Sequence, residues 1–163
     1  MESKSDKQQE LDKFGRPYPP KAGKYHVPGV TTDAICVRFN EGVKEILLVT
    51  RAGPAEKGKL ALPGGFIEYN EDPEECCLRE LQEETGVKGS NLKLVGVFGH
   101  PLRDPRRHVI TMAYTVDVPP TCVPKGADDA EDAQFYPLDQ ILTRSDIAFD
   151  HLNIIKKYKE LNP

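Results

Sequence analysis

The amino-acid sequence predicts a single mixed α+β domain, and three observations support this fold class. A chain of 163 residues is long enough to bury roughly two-thirds of its unfolded surface around one core. Several short segments are rich in β-branched and apolar residues, and turn residues separate them. Two longer segments carry helix-capping residues or apolar residues at helical spacing. Strands flanked by helices are typical of α+β domains.

The first 25 residues differ in composition from the rest of the chain. They are polar and contain Pro17, Pro19 and Pro20, which predicts a flexible or partly extended arm at residues 1–25. The folded domain is therefore predicted to cover residues 26–163. Runs of charge are usually solvated, so we expect a solvated arm rather than a binding arm. The basic residues of this segment are Lys4, Lys7, Lys13, Arg16, Lys21 and Lys24.

The strand-like segments begin after Gly29. The first two are joined by Asn40, Glu41 and Gly42, which are turn-forming residues and predict a β-hairpin. A short apolar stretch follows, and a Pro-Gly-Gly sequence at residues 63–65 breaks it. The predicted strands cover residues 31–39, 45–51, 92–98, 108–118 and 133–136.

Helix-capping residues mark one helix clearly. Asp72 is an N-cap residue, Pro73 occupies the first helical position, and Glu75 completes a capping box. Gly86 is placed to end this helix. A last helix at about residues 150–161 is predicted from a stripe of apolar residues at helical spacing. That stripe contains Leu152, Ile155, Tyr158 and Leu161, and a further short helix is predicted at residues 137–142.

Charge and composition restrict the classes of partner. The net charge is −4, which argues against a nucleic-acid-binding surface and predicts no nucleic-acid partner. A negatively charged protein needs a cation or an arginine cluster to hold a phosphorylated ligand. No apolar run approaches 18 residues and the first 15 residues lack an apolar core, so neither a membrane partner nor a secretory signal is predicted.

The cysteines point to a reducing compartment. The four residues Cys36, Cys76, Cys77 and Cys122 do not have the spacing of a disulfide framework, and no CxxC pair offers a zinc site. Reduced thiols are the simplest interpretation, and they predict a cytoplasmic protein.

The segment from Gly65 to Val87 concentrates acidic residues on one face of the first helix. Residues three and four apart share a helix face, so Glu80, Glu83 and Glu84 lie together. Like charges at these spacings cost a few tenths of a kcal/mol per pair, a cost that a bound cation would remove. Carboxylate oxygens suit Mg²⁺ or Mn²⁺ better than zinc. The alternative is an ordinary solvated acidic helix face.

The full segment reads GFIEYNEDPEECCLRELQEETGV and matches the Nudix signature G-x5-E-x7-R-E-U-x-E-E-x-G-U at every position. A chance match of nine specified positions has a probability on the order of 10⁻⁷, which rejects the solvated-face alternative. The chain therefore resembles the Nudix hydrolases. This resemblance implies an α/β/α sandwich with a mixed β-sheet, and Mg²⁺-dependent hydrolysis of a nucleoside diphosphate linked to another moiety, with Mn²⁺ as the alternative cofactor.

The resemblance also implies a role for each residue of the box. Arg79 and Glu71 would orient the metal-binding carboxylates, and a metal-polarised water would attack one phosphorus. The general base is left open, with Glu83 or Glu84 as the first choice and Glu131 as the second. The implied metal ligands are the carbonyl group of Gly64 and the carboxylates of Glu80, Glu83 and Glu84.

Three further segments resemble the ADP-ribose pyrophosphatase subgroup. Residues 99–110 are similar to its RDPRGH loop, with Pro101 near the proline associated with that group and Arg107 where the loop usually has glycine. Residues 127–138 resemble its acidic loop, and residues 148–151 resemble its AFDH turn. The resemblance implies cleavage of ADP-ribose to AMP and ribose 5-phosphate. The arginines expected to bind this substrate are Arg51, Arg103 and Arg106.

Other functions remain open at the level of sequence. The substrate could be another sugar nucleotide, a dinucleotide or an oxidised nucleoside triphosphate. A different class is a catalytically silent ADP-ribose sensor, although an intact box argues against silence. The expected partner is a small nucleotide, and the resemblance also raises a homodimer. His151 is expected to pack or cap at the helix start, and Phe149 to lie in the core rather than to stack on a base.

Overall fold

The structure is a computed structural model that describes Leu11 and residues 15–18, 25–127 and 130–163. Most of the predicted arm therefore lies outside the described residues, as do Asp128 and Asp129 of the predicted acidic loop. No helix among the described residues is long and apolar enough to cross a lipid bilayer.

Within the described residues, eight strands form two sheets and three helices pack against them. The strands are β1 (Gly29–Ile35), β2 (Val37–Asn40), β3 (Val43–Arg51), β4 (Leu60–Ala61), β5 (Gly64–Phe66), β6 (Ser90–Phe98), β7 (Val109–Asp117) and β8 (Ala130–Pro137). The helices are α1 (Pro73–Thr85), α2 (Leu138–Ile141) and α3 (His151–Leu161). The first sheet has the order β5-β1-β7-β6, and its β1–β7 pair is parallel whereas its other pairs are antiparallel. In the second sheet, β3 pairs antiparallel with β2, β4 and β8.

The predicted strand at residues 31–39 is wrong in one respect, because the chain changes sheets at Cys36. The part before Cys36 is β1 of the first sheet, and the part after it is β2 of the second sheet. Strand periodicity continues through such a corner, so the sequence pattern does not reveal it. The predicted hairpin joins β2 to β3, and Glu41 (φ 49°) and Gly42 (φ 83°) adopt the positive φ angles that a type I′ turn requires.

The first helix follows its capping residues closely. Pro73 is the first helical residue, and Gly86 ends the helix at φ 68° with its N–H donating to the Gln82 carbonyl at 2.8 Å. The N-cap differs in detail from the predicted capping box, because the Asp72 carboxylate accepts from the N–H of Glu74 at 2.9 Å. An N-cap side chain can satisfy either the second or the third N–H of a helix.

Strands β1 and β3 are buried on both faces, and this produces a layered domain. Ala34 and Leu47 face one core cluster that also contains Cys77 and Leu81 of α1. The alternate residues of the same strands face a second core cluster with helices α2 and α3. Alternation of side chains across a strand thus supplies two opposite cores. The predicted α/β/α sandwich with a mixed sheet is confirmed.

The last helix buries two of the four residues of the predicted stripe, Ile155 and Tyr158. Leu161 is 55% exposed, and Leu152 is only partly buried. The buried face is centred slightly to one side of the predicted stripe, because apolar residues occur on both sides of that face. The residues that α3 buries are His151, Ile154, Ile155 and Tyr158.

Candidate active site

A cavity of about 390 Å³ opens where the two sheets, α1 and the start of α3 come together. Glu80, Glu83 and Glu84 of α1 line one side of it. The other side is formed by the end of β3, the loop at residues 103–106 and the turn before α3. The residues that line it include Asp33, Arg51, Gly64, Gly65, Phe66, Glu68, Glu80, Glu83, Glu84, Arg103, Asp104, Arg106, Phe149 and His151.

Two consecutive glycines let α1 approach strand β5 closely. The Gly64 N–H donates to the Glu84 carboxylate at 3.0 Å, so the strand backbone holds the end of this side chain. A Cβ atom on Gly65 would overlap the carboxylate of Glu80. The absence of a side chain at position 65 therefore allows the Glu80 carboxylate to rest against the backbone of β5. The Pro-Gly-Gly break that interrupts the strand pattern is what brings these carboxylates into the cavity.

Arg79 organises the acidic residues of the box. Its guanidinium donates to both carboxylate oxygens of Glu71, at 2.6 and 2.9 Å. The same group donates to Glu80 at 2.8 Å and to Glu83 at 3.0 Å. The bond with Arg79 lowers the pKa of Glu71 to about 2. This geometry matches the positioning role expected for Arg79 and Glu71.

Burial makes two of these carboxylates electrostatically unusual. Glu84 is only 7% exposed, and burial raises its pKa to about 8. Burial also raises the pKa of Glu80, although Arg79 opposes this effect. A desolvated carboxylate is stabilised in its charged form by a nearby cation. Glu83, with 47% of its side chain exposed, is more accessible to solvent.

The residues present fit a hard divalent cation. The predicted ligands offer only oxygen atoms, which suits Mg²⁺ or Mn²⁺. The lining includes six acidic side chains (Asp33, Glu68, Glu80, Glu83, Glu84, Asp104) but three arginines. Among the described residues, no three acidic, histidine or cysteine side chains are already arranged around one metal position. Glu80 and Glu83 instead point to Arg79, so these side chains would have to turn to bind a metal.

The three predicted substrate arginines line the cavity, but Arg103 is buried and bound to another side chain. Arg103 is only 8% exposed, and its guanidinium binds the carboxylate of Asp150 through contacts of 2.6 and 3.0 Å. Arg106 is more exposed and is held by Asp104 through contacts of 2.8 and 3.0 Å. Arg51 ends strand β3 and donates to the Ala55 carbonyl at 2.9 Å.

The second choice of general base does not reach this site. Glu131 was expected in a loop, but it lies in strand β8, is exposed and does not line the cavity. Side chains alternate across a strand, so a carboxylate at this position points away when its neighbours point inward. Arg107 also lies outside the cavity lining, and its guanidinium is 4.9 Å from the Phe66 ring centroid. Arg107 stands where the related loop usually has glycine, but its φ angle is not positive.

A buried polar network behind the carboxylates was not predicted. Asp33 accepts a hydrogen bond of 2.6 Å from Thr111, and its other oxygen lies 3.5 Å from His151 Nε2. His151 Nδ1 accepts from the N–H of Leu62 at 3.0 Å. His151 was expected to pack at the helix start, which it does, but the sequence does not reveal that it faces the cavity. A single Asp inside a predicted strand was the one available signal, because buried acidic residues need partners.

Comparisons with known proteins agree with this geometry. The NUDIX domain family model matches residues 30–158. An ADP-ribose pyrophosphatase from Methanocaldococcus jannaschii is 40% identical over 157 residues, which cover 91% of this chain and 88% of that protein. The chain belongs to the Nudix family.

Two further relatives show how the Nudix domain is used in other proteins. The NUDIX domain of Shewanella oneidensis NrtR, solved in complex with ADP ribose, superposes with a TM-score of 0.79 and 30% identity over 90% of this chain and 94% of that chain. A bifunctional NMN adenylyltransferase/ADP ribose pyrophosphatase from Francisella tularensis was solved in complex with AMP and a Mn ion. It superposes with a TM-score of 0.70 and 27% identity, over 85% of this chain and 43% of that chain. With its box intact, this chain is a Nudix pyrophosphohydrolase.

Proposed function

We propose that this Nudix enzyme hydrolyses ADP-ribose to AMP and ribose 5-phosphate with Mg²⁺ as its cofactor. The observation that carries this proposal is one cavity in which the carboxylates of the box face Arg51 and Arg106. The similarity to the Methanocaldococcus jannaschii ADP-ribose pyrophosphatase extends over nearly the full length of both chains, which supports the same substrate.

A metal requirement follows from the charge of the cavity. A diphosphate would enter a site with six acidic groups and three arginines, one of which is already paired with Asp150. Repulsion would exclude the substrate without additional positive charge. The residues that would hold the metal are Gly64, through its carbonyl, and Glu80, Glu83 and Glu84. When bound, Mg²⁺ supplies charge neutralisation and a more acidic water.

The protein side chains divide the remaining work. Arg79, fixed by Glu71, orients Glu80 and Glu83. We assign the general base to Glu83 or Glu84, which line the cavity, and not to Glu131. In the reaction, a water oxygen bonds to one phosphorus and the bond from that phosphorus to the bridging oxygen breaks. The bridging oxygen and the bonding electron pair leave with the other phosphate, and the water proton passes to the carboxylate. Arg51 and Arg106, which line the same cavity, hold the phosphate groups in this proposal.

A second candidate function is ADP-ribose binding without turnover. It is favoured by the structural similarity to the NrtR NUDIX domain and by 30% identity to the ADPR responsive transcriptional repressor NtrR of Acinetobacter baylyi. The chain spans 54% of the length of that repressor. Every position of the box signature is retained here, which favours hydrolysis over binding alone.

The test is a substrate panel with product identification. We expect a higher kcat/KM for ADP-ribose than for any nucleoside triphosphate or dinucleoside polyphosphate, with AMP and ribose 5-phosphate as products and no turnover in excess EDTA. Glu84→Gln should lower kcat by on the order of 10²-fold or more without lowering the melting temperature. Glu75→Gln is the matched control, since Glu75 is exposed on the same helix and does not line the cavity.

Three outcomes would contradict the proposal. Preference for a triphosphate would overturn the substrate, and activity in excess EDTA would overturn the metal mechanism. Tight ADP-ribose binding with no turnover of any substrate would favour the sensor.

A further inference from the structure

Phe149 combines an unusual backbone conformation with a position at the cavity. Its φ angle is 53°, which a bulky side chain rarely adopts. Phe149 lines the cavity and also packs, partly buried, against the first core cluster. The expectation that Phe149 is a core residue is therefore only partly right. A strained conformation at a cavity motivates a functional hypothesis for the residue.

The residues on both sides of Phe149 hold this conformation in place. Ala148 is fully buried, and its N–H donates to the Leu60 carbonyl at 2.8 Å. Asp150 is bound by the guanidinium of Arg103, and the His151 N–H donates to the Ala148 carbonyl at 3.1 Å. The strain at Phe149 is thus maintained by neighbours that are bound to two distant parts of the fold, at Leu60 and Arg103, and by one hydrogen bond within the turn itself.

The strained turn places the Phe149 ring beside two guanidinium groups. The Arg51 Cζ atom lies 4.8 Å from the ring centroid, and the Arg106 Cζ atom lies 5.3 Å from it. Both distances are within the range of cation–π attraction. These arginines come from strand β3 and from the loop at residues 103–106, and the ring contacts both.

We propose that Phe149 is a positioning residue that fixes Arg51 and Arg106 for binding the substrate diphosphate. The Phe149 ring restricts the rotamers of two long side chains before substrate arrives, and this lowers the entropy lost on binding. The inference rests on the proposed function, because it assumes a ligand with adjacent phosphates. In this proposal the Phe149 ring contacts the two arginines and does not stack on a nucleobase.

Two substitutions separate the ring from the backbone strain. Phe149→Leu removes the aromatic ring and keeps an apolar side chain. Phe149→Asn removes the ring but replaces it with a residue that tolerates the left-handed conformation. Both variants should raise KM for ADP-ribose, and Kd for ADP measured by calorimetry, by about fivefold to thirtyfold. We expect kcat to stay within twofold, and Phe149→Trp to restore KM and Kd, because it retains a ring for the cation–π contacts.

The chain contains a matched control for these substitutions. Phe135 packs against the same core cluster, and Arg38 lies over its ring at 3.8 Å, but Phe135 does not line the cavity. Phe135→Leu should leave KM and Kd unchanged. A double-mutant cycle between Phe149→Asn and Arg106→Ala should be strongly non-additive, because the ring acts through the arginine.

The outcomes distinguish this inference from the proposed function. In one outcome, the wild type binds ADP but fails to hydrolyse ADP-ribose. If both Phe149 variants then bind ADP more weakly, the positioning role of Phe149 is supported and ADP-ribose is rejected as the substrate. Normal ADP-ribose turnover with KM unchanged in Phe149→Asn would reject only the role of Phe149. If Phe149→Leu and Phe149→Asn lower both kcat and the melting temperature, and Phe149→Trp does not restore them, Phe149 has only a structural role. A wild type that neither hydrolyses ADP-ribose nor binds ADP would overturn both.

Discussion

Arg103 shows how a single residue can look like a substrate ligand and be bound within the protein. Its side chain is 4% exposed and forms a bidentate pair with Asp150, 47 residues away. Its Nη2 atom also lies 4.0 Å from Asp33. Neutralising the buried carboxylate of Asp33 and the partly buried carboxylate of Asp150 is therefore the principal electrostatic role of this guanidinium. It joins the loop at residues 103–106 to the start of α3.

Replacing Arg103 should destabilise the protein. Arg103→Ala leaves Asp150 without its partner in a largely buried position, and we expect a cost of about 3 kcal/mol. For a domain of this size, that corresponds to a fall in melting temperature of about 10 °C. Thermal unfolding followed by circular dichroism gives the measurement.

The surface pair of Arg144 and Asp146 provides the comparison. Both of its side chains are more than 40% exposed, so Arg144→Ala should change the melting temperature by no more than about 2 °C. If Arg103→Ala changes the melting temperature as little as Arg144→Ala and raises only KM, Arg103 is a substrate ligand rather than a structural residue.

At the scale of elements, the contact between β5 and α1 determines where the carboxylates lie. Strand β5 has only three residues, and two of them are the glycines against which Glu80 and Glu84 rest. Helix α1 is anchored on its other side by Cys77 and Leu81. The position of the acidic face is therefore set by close packing of two backbones.

Adding one methyl group at this contact should impair catalysis more than folding. In Gly65→Ala, the new Cβ overlaps the end of the Glu80 side chain, which can rotate away at little cost in stability. The carboxylate of Glu80, a proposed metal ligand, then loses its place against the backbone of β5, so we expect kcat/KM to fall on the order of 10²-fold. The melting temperature should remain close to that of the wild type.

Gly99→Ala is a suitable control for this substitution. A Cβ at Gly99 would make only ordinary contacts with Ile110, at 3.4 Å or more. Equal activity in the two alanine variants would show that the approach of Glu80 to β5 is unimportant.

At the scale of the whole molecule, His151 connects both sheets to α3. It accepts from Leu62, which follows β4 of the second sheet, and its other nitrogen faces Asp33 of β1 in the first sheet. Burial lowers the pKa of His151, although the nearby Asp33 opposes the shift. Below about pH 6.5 the folded state therefore binds fewer protons at this site than the unfolded state does. The free energy of unfolding should fall as the pH falls.

Urea unfolding of the wild type and His151→Gln at pH 7.5, 6.5 and 5.5 tests this linkage. The stability advantage of the wild type should shrink by up to about 1 kcal/mol between pH 6.5 and 5.5. Taking the difference between the two proteins cancels other titrating groups, including Glu84, whose raised pKa acts in the opposite direction. An advantage that is constant or that grows on acidification would contradict the prediction.

The sequence by itself determined the features that depend on local contacts. The cap at Asp72, the stop at Gly86 and the hairpin turn at Glu41 and Gly42 follow from preferences within a few residues. The face shared by Glu80, Glu83 and Glu84 follows from helix periodicity alone. These features, with the full box signature, were sufficient to predict the family and the sandwich fold.

Tertiary structure alone decided which distant groups meet. The partner of Arg103 is 47 residues away, and the N–H that binds His151 is 89 residues away. The change of sheet at Cys36 and the position of Phe149 between two arginines also depend on packing between elements. Side-chain periodicity records which face of an element is apolar, but it does not record which element that face will meet. Long-range pairings are selected by the close packing of the assembled layers.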